Sequence, residues 1–284
     1  MMASGLVLGL ILGGFPSGTK EVSMASLALL MAFSLSGVNL GEARGPAHVK
    51  HAAWALVLNY GILSLLILAL GLAFSKELWP GWVLMAAAPS AVSIVPFTKV
   101  LGGSTTKALF STATNYILAL VLMPLMTLLL IGSSVRLNDL VYSLIILIAL
   151  PMLGSRLISR LRISKSTNTI IINVFFALLI FAVAGANRDA FTGDFGIVLA
   201  ICGAGAVRTF GIGLGTERVL RKLRVPKGER ASYVLFSSYK NLGLTATLAI
   251  ALFDPVVAVP ATICIVLEVV WVIFLIRYYP TLPD

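Results

Sequence analysis

Apolar stretches of membrane-spanning length follow one another along this chain, and that succession decides its fold class. A helix crossing a bilayer core needs about 20 apolar residues. Ten such segments fit the hydropathy, near 1–16, 21–41, 49–74, 79–101, 105–132, 136–161, 168–187, 193–220, 229–252 and 255–279. Composition agrees: 59% of the 284 residues are hydrophobic and 11% charged, where soluble domains carry about 25% charged residues. The chain is therefore read as an all-α integral membrane protein with no separate soluble domain. The stretch from Met1 to Phe15 lacks a basic leader and a small-residue cleavage pattern, so it is read as a first span rather than a signal peptide. Cys202 and Cys264 lie in spans and read as small packing residues, not as a disulfide or metal pair. His48 and His51 flank Val49 and Lys50 without carboxylate or cysteine company. They read as a solvated basic loop, and no metal site is expected.

The net charge of +10 is explained by where the charges lie. One set of loops holds 15 basic residues, from Arg44 and Lys50 through the run Arg218 to Arg230 and on to Arg277. The other set holds 4: Lys20, Lys76, Arg136 and Arg188. Positively charged loops stay on the cytoplasmic side, which puts both termini in the cytoplasm of a multi-pass protein of the plasma membrane. The basic run is then a topology signal, with attraction for anionic lipid, and no nucleic-acid partner is expected.

Two of the ten segments are interrupted. Pro89, Ser90, Ser93 and Pro96 break up the fourth, because each proline removes a backbone donor and clashes with the preceding turn. The run Ser237-Ser238-Tyr239-Lys240-Asn241-Leu242-Gly243 breaks up the ninth with poor helix formers. These are the fourth spans of two five-span halves, 1–132 and 136–279. An odd number of spans per half gives the halves opposite orientations. Paired interrupted helices at matching positions of inverted halves point to a transporter site near the midplane. The alternative for the prolines alone is a structural kink.

Lys240 is the most telling residue of the second break. An ionisable group at membrane depth is costly, and it faces a cavity or a partner where it persists. Arg208 and Glu268 are the other ionisable residues placed within spans. An Arg208–Glu268 ion pair locking two helices would leave Lys240 as the unpaired charge; a Lys240–Glu268 pair would make the lysine structural. Ser237-x-x-Lys240 also matches the pattern in which lysine activates a serine nucleophile. The companion motifs of such hydrolases are absent, and an intramembrane hydrolase is a remote alternative. Gly5, Gly9 and Gly13 put small residues on one face of the first span. Internal packing and a dimer contact both fit, and Gly211, Gly213 and Gly215 read the same way. The chain is read as a monomer or homodimer.

The interrupted segments resemble the bile acid:sodium symporter family. Ala88-Pro89-Ser90-Ala91-Val92-Ser93-Ile94 is similar to its first crossover, and Asn241-Leu242-Gly243-Leu244-Thr245 to its second. Met31-Ala32-Phe33-Ser34-Leu35-Ser36-Gly37 and Pro255-Val256-Val257-Ala258-Val259-Pro260 resemble two further stretches, in order and spacing. The resemblance implies ten helices in two inverted five-helix repeats with crossing broken helices 4 and 9. It implies a panel domain of helices 1, 2, 6 and 7 and a core domain of helices 3–5 and 8–10. It also implies alternating-access transport of a small organic anion coupled to two sodium ions.

The departures from that family bear on coupling. By this alignment a sodium-binding glutamate falls on Phe236, a sodium-binding glutamine on Lys240, and a serine on Ala108, while a threonine falls on Thr112, a glutamine on Asn59, and the first-crossover serine and asparagine near Ser93 to Val95. The chain contains no glutamine. A site with phenylalanine for its carboxylate and an ammonium nearby is rebuilt against sodium. The expectation is a sodium-independent secondary transporter, not an enzyme, without cofactor. Lys240 acts there either as a fixed charge in place of sodium or as a proton-exchanging group. The expected site comprises Lys240, Asn241, Ser237, Ser238, Asn59, Ser90, Ser93 and Thr112, with Arg208 and Glu268 as the buried pair. A sodium-coupled organic-anion symporter is the alternative within the family.

Overall fold

The computed structural model describes residues 2–36, 45–132, 136–161, 163–189 and 195–282, and the regular elements among them are all helices. They are α1 (Met2–Leu12), α2 (Thr19–Ser36), α3 (Pro46–Gly71), α4 (Trp79–Ala87), α5 (Ile94–Val100), α6 (Thr105–Ile131), α7 (Leu137–Leu161), α8 (Lys165–Ala186), α9 (Phe195–Lys222), α10 (Lys227–Ser238), α11 (Leu242–Leu252) and α12 (Pro255–Thr281). Six helices are long and apolar enough to cross a membrane: α3, α6, α7, α8 (over Ser166–Ala186), α9 and α12. Side chains such as Leu65, Leu129 and Leu153 are exposed on their outer faces, as suits a chain solvated by lipid. The protein is a multi-pass integral membrane protein. The remaining expected spans fall outside these six. The first is the 11-residue α1, and the second ends its described part at Ser36.

The segments expected at 79–101 and 229–252 are each split. α4 stops at Ala87, where Ala88 turns extended (ψ 148°), the conformation that a following proline imposes. The chain becomes helical again only at Ile94. Pro96 does not contribute to this break. It sits in the first turn of α5, where its missing N–H is one the helix would leave unbonded anyway. The second break is narrower than the sequence suggests: Ser237 and Ser238 stay helical, and only Tyr239, Lys240 and Asn241 leave the helix. Asn241 then starts α11, its side chain accepting the N–H of Leu244 at 3.0 Å. The two breaks meet, because the N–H of Asn241 donates to the carbonyl of Pro89 at 2.7 Å.

Helices α1, α2, α7 and α8 pack on one another in sequence, α1 on α8, α8 on α2 and α2 on α7. Gly5 and Gly9 serve this packing: a Cβ on Gly5 would lie 2.5 Å from the carbonyl oxygen of Ala177, and one on Gly9 2.7 Å from that of Phe181. That stripe is thus internal. Of Gly211, Gly213 and Gly215 in α9, Gly213 alone works this way, against the Trp271 ring, whereas a Cβ on Gly215 would meet open space. The other helices form a second group, with α3 on α6, α9 on α10 and α12, and α4 and α11 between them. Three long helices contain a π-helical segment: Val57–Leu63 in α3, Ile145–Ala149 in α7 and Val207–Gly211 in α9. Such segments are rare and concentrate at functional sites.

Candidate transport site at the two helix breaks

The break after α10 turns the Lys240 side chain into the protein. It is fully buried, and its Nζ donates to Asn59 Oδ1 at 3.1 Å, Ser64 Oγ at 2.9 Å, Ala86 O at 2.9 Å and Ala88 O at 2.8 Å. Ala86 lies in the last turn of α4 and Ala88 just past it, so both carbonyls sit at the C-terminus, the negative end of the helix dipole. The face of Tyr60 closes the cage, its ring centroid 4.4 Å from Nζ. No carboxylate among the described residues takes part. Asn59 and Tyr60 lie in the π-helical segment of α3. Asn59 also joins the cage to the break, its Nδ2 donating to the carbonyls of Phe236 and Tyr239, both at 3.0 Å.

Arg208, in the π-helical segment of α9, faces Glu268 of α12. Its Nη2 lies 2.5 Å from Glu268 Oε1 and also donates to the carbonyl of Ser238 at 2.9 Å. Glu268 Oε1 accepts the backbone N–H of Lys240 at 3.2 Å, and the Tyr239 hydroxyl donates to the Glu268 carbonyl at 2.6 Å. Glu268 therefore holds the Lys240 backbone while the lysine side chain points elsewhere. Arg208 Nε is buried without a hydrogen-bond partner among the described residues.

The other expected residues divide. Asn241 belongs to the site, with Nδ2 donating to Tyr116 Oη at 2.6 Å. Ser238 accepts the Trp271 Nε1–H at 3.0 Å and donates to the Val234 carbonyl. Ser237 also donates to the Val234 carbonyl, at 2.9 Å, so Ser237 and Lys240 are engaged by different partners. The side chains of Ser90 and Thr112 are buried, with hydroxyls that lack hydrogen-bond partners among the described residues. Ser93 is half-buried at the start of α5 and does not cap it. Phe236 is fully buried.

Several groups were missed. Ser64, Tyr60 and Tyr116 gave no signal beyond being polar in apolar spans, and the Ala86 and Ala88 carbonyls carry none. His51 is not in a solvated loop. It lies on α3, buried, with Nδ1 2.7 Å from Ser111 Oγ and its ring stacked on Tyr233 at 4.6 Å. Arg230, read as a loop charge, is buried against Glu217, with Nε 3.0 Å from Oε1, while Tyr279 donates to Oε2 at 2.7 Å. Glu217 was itself legible as a carboxylate one turn inside the eighth span.

Beside these helices lies a cavity of about 80 Å³, almost wholly apolar, between Leu6 and Leu179 on one side and Gly243 and Ile265 on the other. Pockets for drug-sized ligands run to roughly 300–1,000 Å³, so this one does not enclose an organic anion. No group of three or more acidic, histidine or cysteine side chains able to hold a metal occurs among the described residues. The model of a family described as the SBF-like CPA transporter family matches residues 13–276. A search of curated proteins finds no match.

Proposed function

This chain belongs to the SBF-like CPA transporter family, related to the bile acid:sodium symporters, and from that premise we propose that it moves a small organic anion across the plasma membrane by alternating access, without sodium. The supporting observation is the Lys240 cage. Arg208 and Glu268 neutralise each other, so Lys240 is the remaining charge where the two helix breaks meet, and it raises the local potential for an anion. Its cage is filled by neutral oxygens, so the lysine acts through its field rather than through contact. Phe236 stands where a sodium-binding carboxylate would be needed, and an ammonium already supplies the positive charge that sodium would bring.

In this reading the chain is two inverted repeats, 1–132 and 136–279. The interval from the π-helical start at Val57 to that at Val207 equals the interval from the start of α6 at Thr105 to that of α12 at Pro255, which supports it. Helices α1, α2, α7 and α8 form the panel and the remainder the core. The basic loops and both termini lie in the cytoplasm, and the carrier works as a monomer or homodimer.

Uptake by purified protein in vesicles tests the proposal. Replacing sodium by choline leaves transport unchanged, and Lys240→Met abolishes it while the protein remains monodisperse. Sodium-dependent uptake, or normal uptake by Lys240→Met, would each overturn the reading.

A further inference from the structure

A second cavity, of about 390 Å³, opens on the side of the basic loops, where three helix ends meet. Its walls include Val100 and Leu101 at the end of α5, Lys227 and Gly228 at the start of α10, and Ile276 and Tyr279 at the end of α12. The volume falls in the range of small-molecule sites, roughly 300–1,000 Å³. It is not the crossover: the 12 residues of α10 put Lys227 about 18 Å from the second break. The Leu282 carbonyl, 2.7 Å from Lys227 Nζ, is the one acceptor this ammonium reaches among the described residues. An ammonium has three protons, so two are left for a ligand. The neighbouring carboxylates are matched elsewhere. Glu217, which accepts from the Tyr279 hydroxyl, pairs with Arg230, and Glu229, two residues after Lys227, pairs with Lys107. Lys99 and Arg277, next in sequence to Val100 and Ile276, are exposed and add to the positive potential. Another part of the wall is apolar and faces outward: Val100 is 60% and Ile276 43% exposed. Ile276 belongs to a helix long enough to span the membrane, and Tyr278 and Tyr279 follow at its end, a residue type that marks the membrane–water boundary.

We propose that this cavity holds the headgroup of an anionic phospholipid, its phosphate on Lys227 and its acyl chains running out over Val100 and Ile276. The two-sided wall selects that ligand. A soluble anion would use the lysine and gain nothing from the apolar edge; a zwitterionic lipid would use the edge but bring a second cation to a basic site. Basic pockets between membrane helices on the cytoplasmic side suit such headgroups. The proposal narrows a general attraction of basic loops for anionic lipid to one cavity and one lysine, and it does not rest on what the protein transports. A lipid seated there touches α5 and α10, the outer halves of both broken spans, and α12. The turn after α5 and the start of α10 are already in close contact, since a Cβ on Gly228 would stand 2.9 Å from the Gly102 carbonyl oxygen. The headgroup therefore fastens together the ends of the elements that cross at the breaks.

The test titrates three probes into the purified full chain in neutral detergent: phosphatidylglycerol, phosphatidylcholine with the same acyl chains, and inorganic phosphate. Melting temperature and native mass spectrometry read the response. Phosphatidylglycerol should give a saturable rise of several degrees and one retained lipid per chain, and the other two probes should give neither. Lys227→Gln should weaken phosphatidylglycerol binding about fivefold or more, as expected for one lysine against an anionic headgroup. Arg160→Gln removes the same charge from α7, away from the cavity, and should leave binding within about twofold. Equal responses to the two lipids would overturn the site. So would a rise with inorganic phosphate equal to that with phosphatidylglycerol, which would make it a soluble-anion site, or equal losses in the two variants, which would make the attraction diffuse. Should Lys227→Gln not fold, Ile276→Trp narrows the lipid-facing edge without changing charge; it should weaken binding likewise, and unchanged binding would overturn the site. Uptake plays no part in these measurements, so their failure is separable from failure of the transport reading.

Discussion

Arg208 and Glu268 pair inside the protein, and the pair does more than cancel charge. The guanidinium also takes the Ser238 carbonyl, which α10 leaves open at its end, and the carboxylate takes the N–H of Lys240. One ion pair therefore pins both sides of the break. Removing one partner leaves a buried charge and open backbone groups, which costs about 3–5 kcal/mol in soluble proteins. Arg208→Met and Glu268→Gln should each lower stability by that order, and the double variant by clearly less than their sum. Thermal unfolding in detergent, run as a double-mutant cycle, reads this directly. Additive losses would mean that the two charges are stabilised separately. The pair was legible in the sequence because two opposite charges in apolar helices need partners. The Lys240 cage was legible only in part: Asn59 could be placed, but main-chain carbonyls have no residue signature, and Ser64 looks like any serine in a span.

The two broken elements stop for different reasons, and substitutions should separate them. In the first, Pro89 forces Ala88 out of the helix, whereas Pro96 occupies a first-turn position with no hydrogen bond to lose. Pro96→Ala is expected to change stability by about 1 kcal/mol or less, through the unfolded chain. Gly81, within α4, is the sensitive position. A Cβ there would stand 2.1 Å from the Val257 carbonyl oxygen of α12, so the helices must part, and overpacking of this kind costs roughly 1–3 kcal/mol or more. Gly81→Ala should melt well below Pro96→Ala; the reverse order would mean that the proline, not the close approach, holds this element. Reading prolines as breakers located the first interruption but overweighted Pro96, because helix position decides what a proline costs. The second break is tighter than its poor helix formers suggest, since Ser237 and Ser238 can satisfy themselves by donating to the Val234 carbonyl inside the helix.

Across the whole molecule, the two groups of helices do not meet evenly. The group of α1, α2, α7 and α8 packs on the other chiefly through α11, which follows the second break, together with α6 and α12. No comparable packing joins α2, α7 or α8 to α5 or α10 among the described residues. α10 starts beside the basic run, so the loose side is the one that carries the basic loops. At the far end Lys20 of α2 donates to the Ala251 carbonyl at 2.9 Å, placing a cation at the C-terminus of α11, where the helix dipole favours it. Among the described residues the two groups are thus joined on the side of Lys20 and have no comparable packing toward the basic loops. Two positions on one face of α2 test this. Leu27 is buried near Gly243, and Ser34, two turns on and past the Met31–Asn241 contact, is half-buried. With Cys202 and Cys264 replaced, Ser34→Cys should react with an impermeant maleimide many-fold faster than Leu27→Cys, and only from the basic-loop side. Adding Lys20→Met removes the cap and should raise labelling at Leu27→Cys about two- to fivefold, now from the opposite side. Equal labelling of the two positions, or of Ser34→Cys from either side, would mean that the helix groups are sealed along their length and that the asymmetry in packing does not open a path to the crossover.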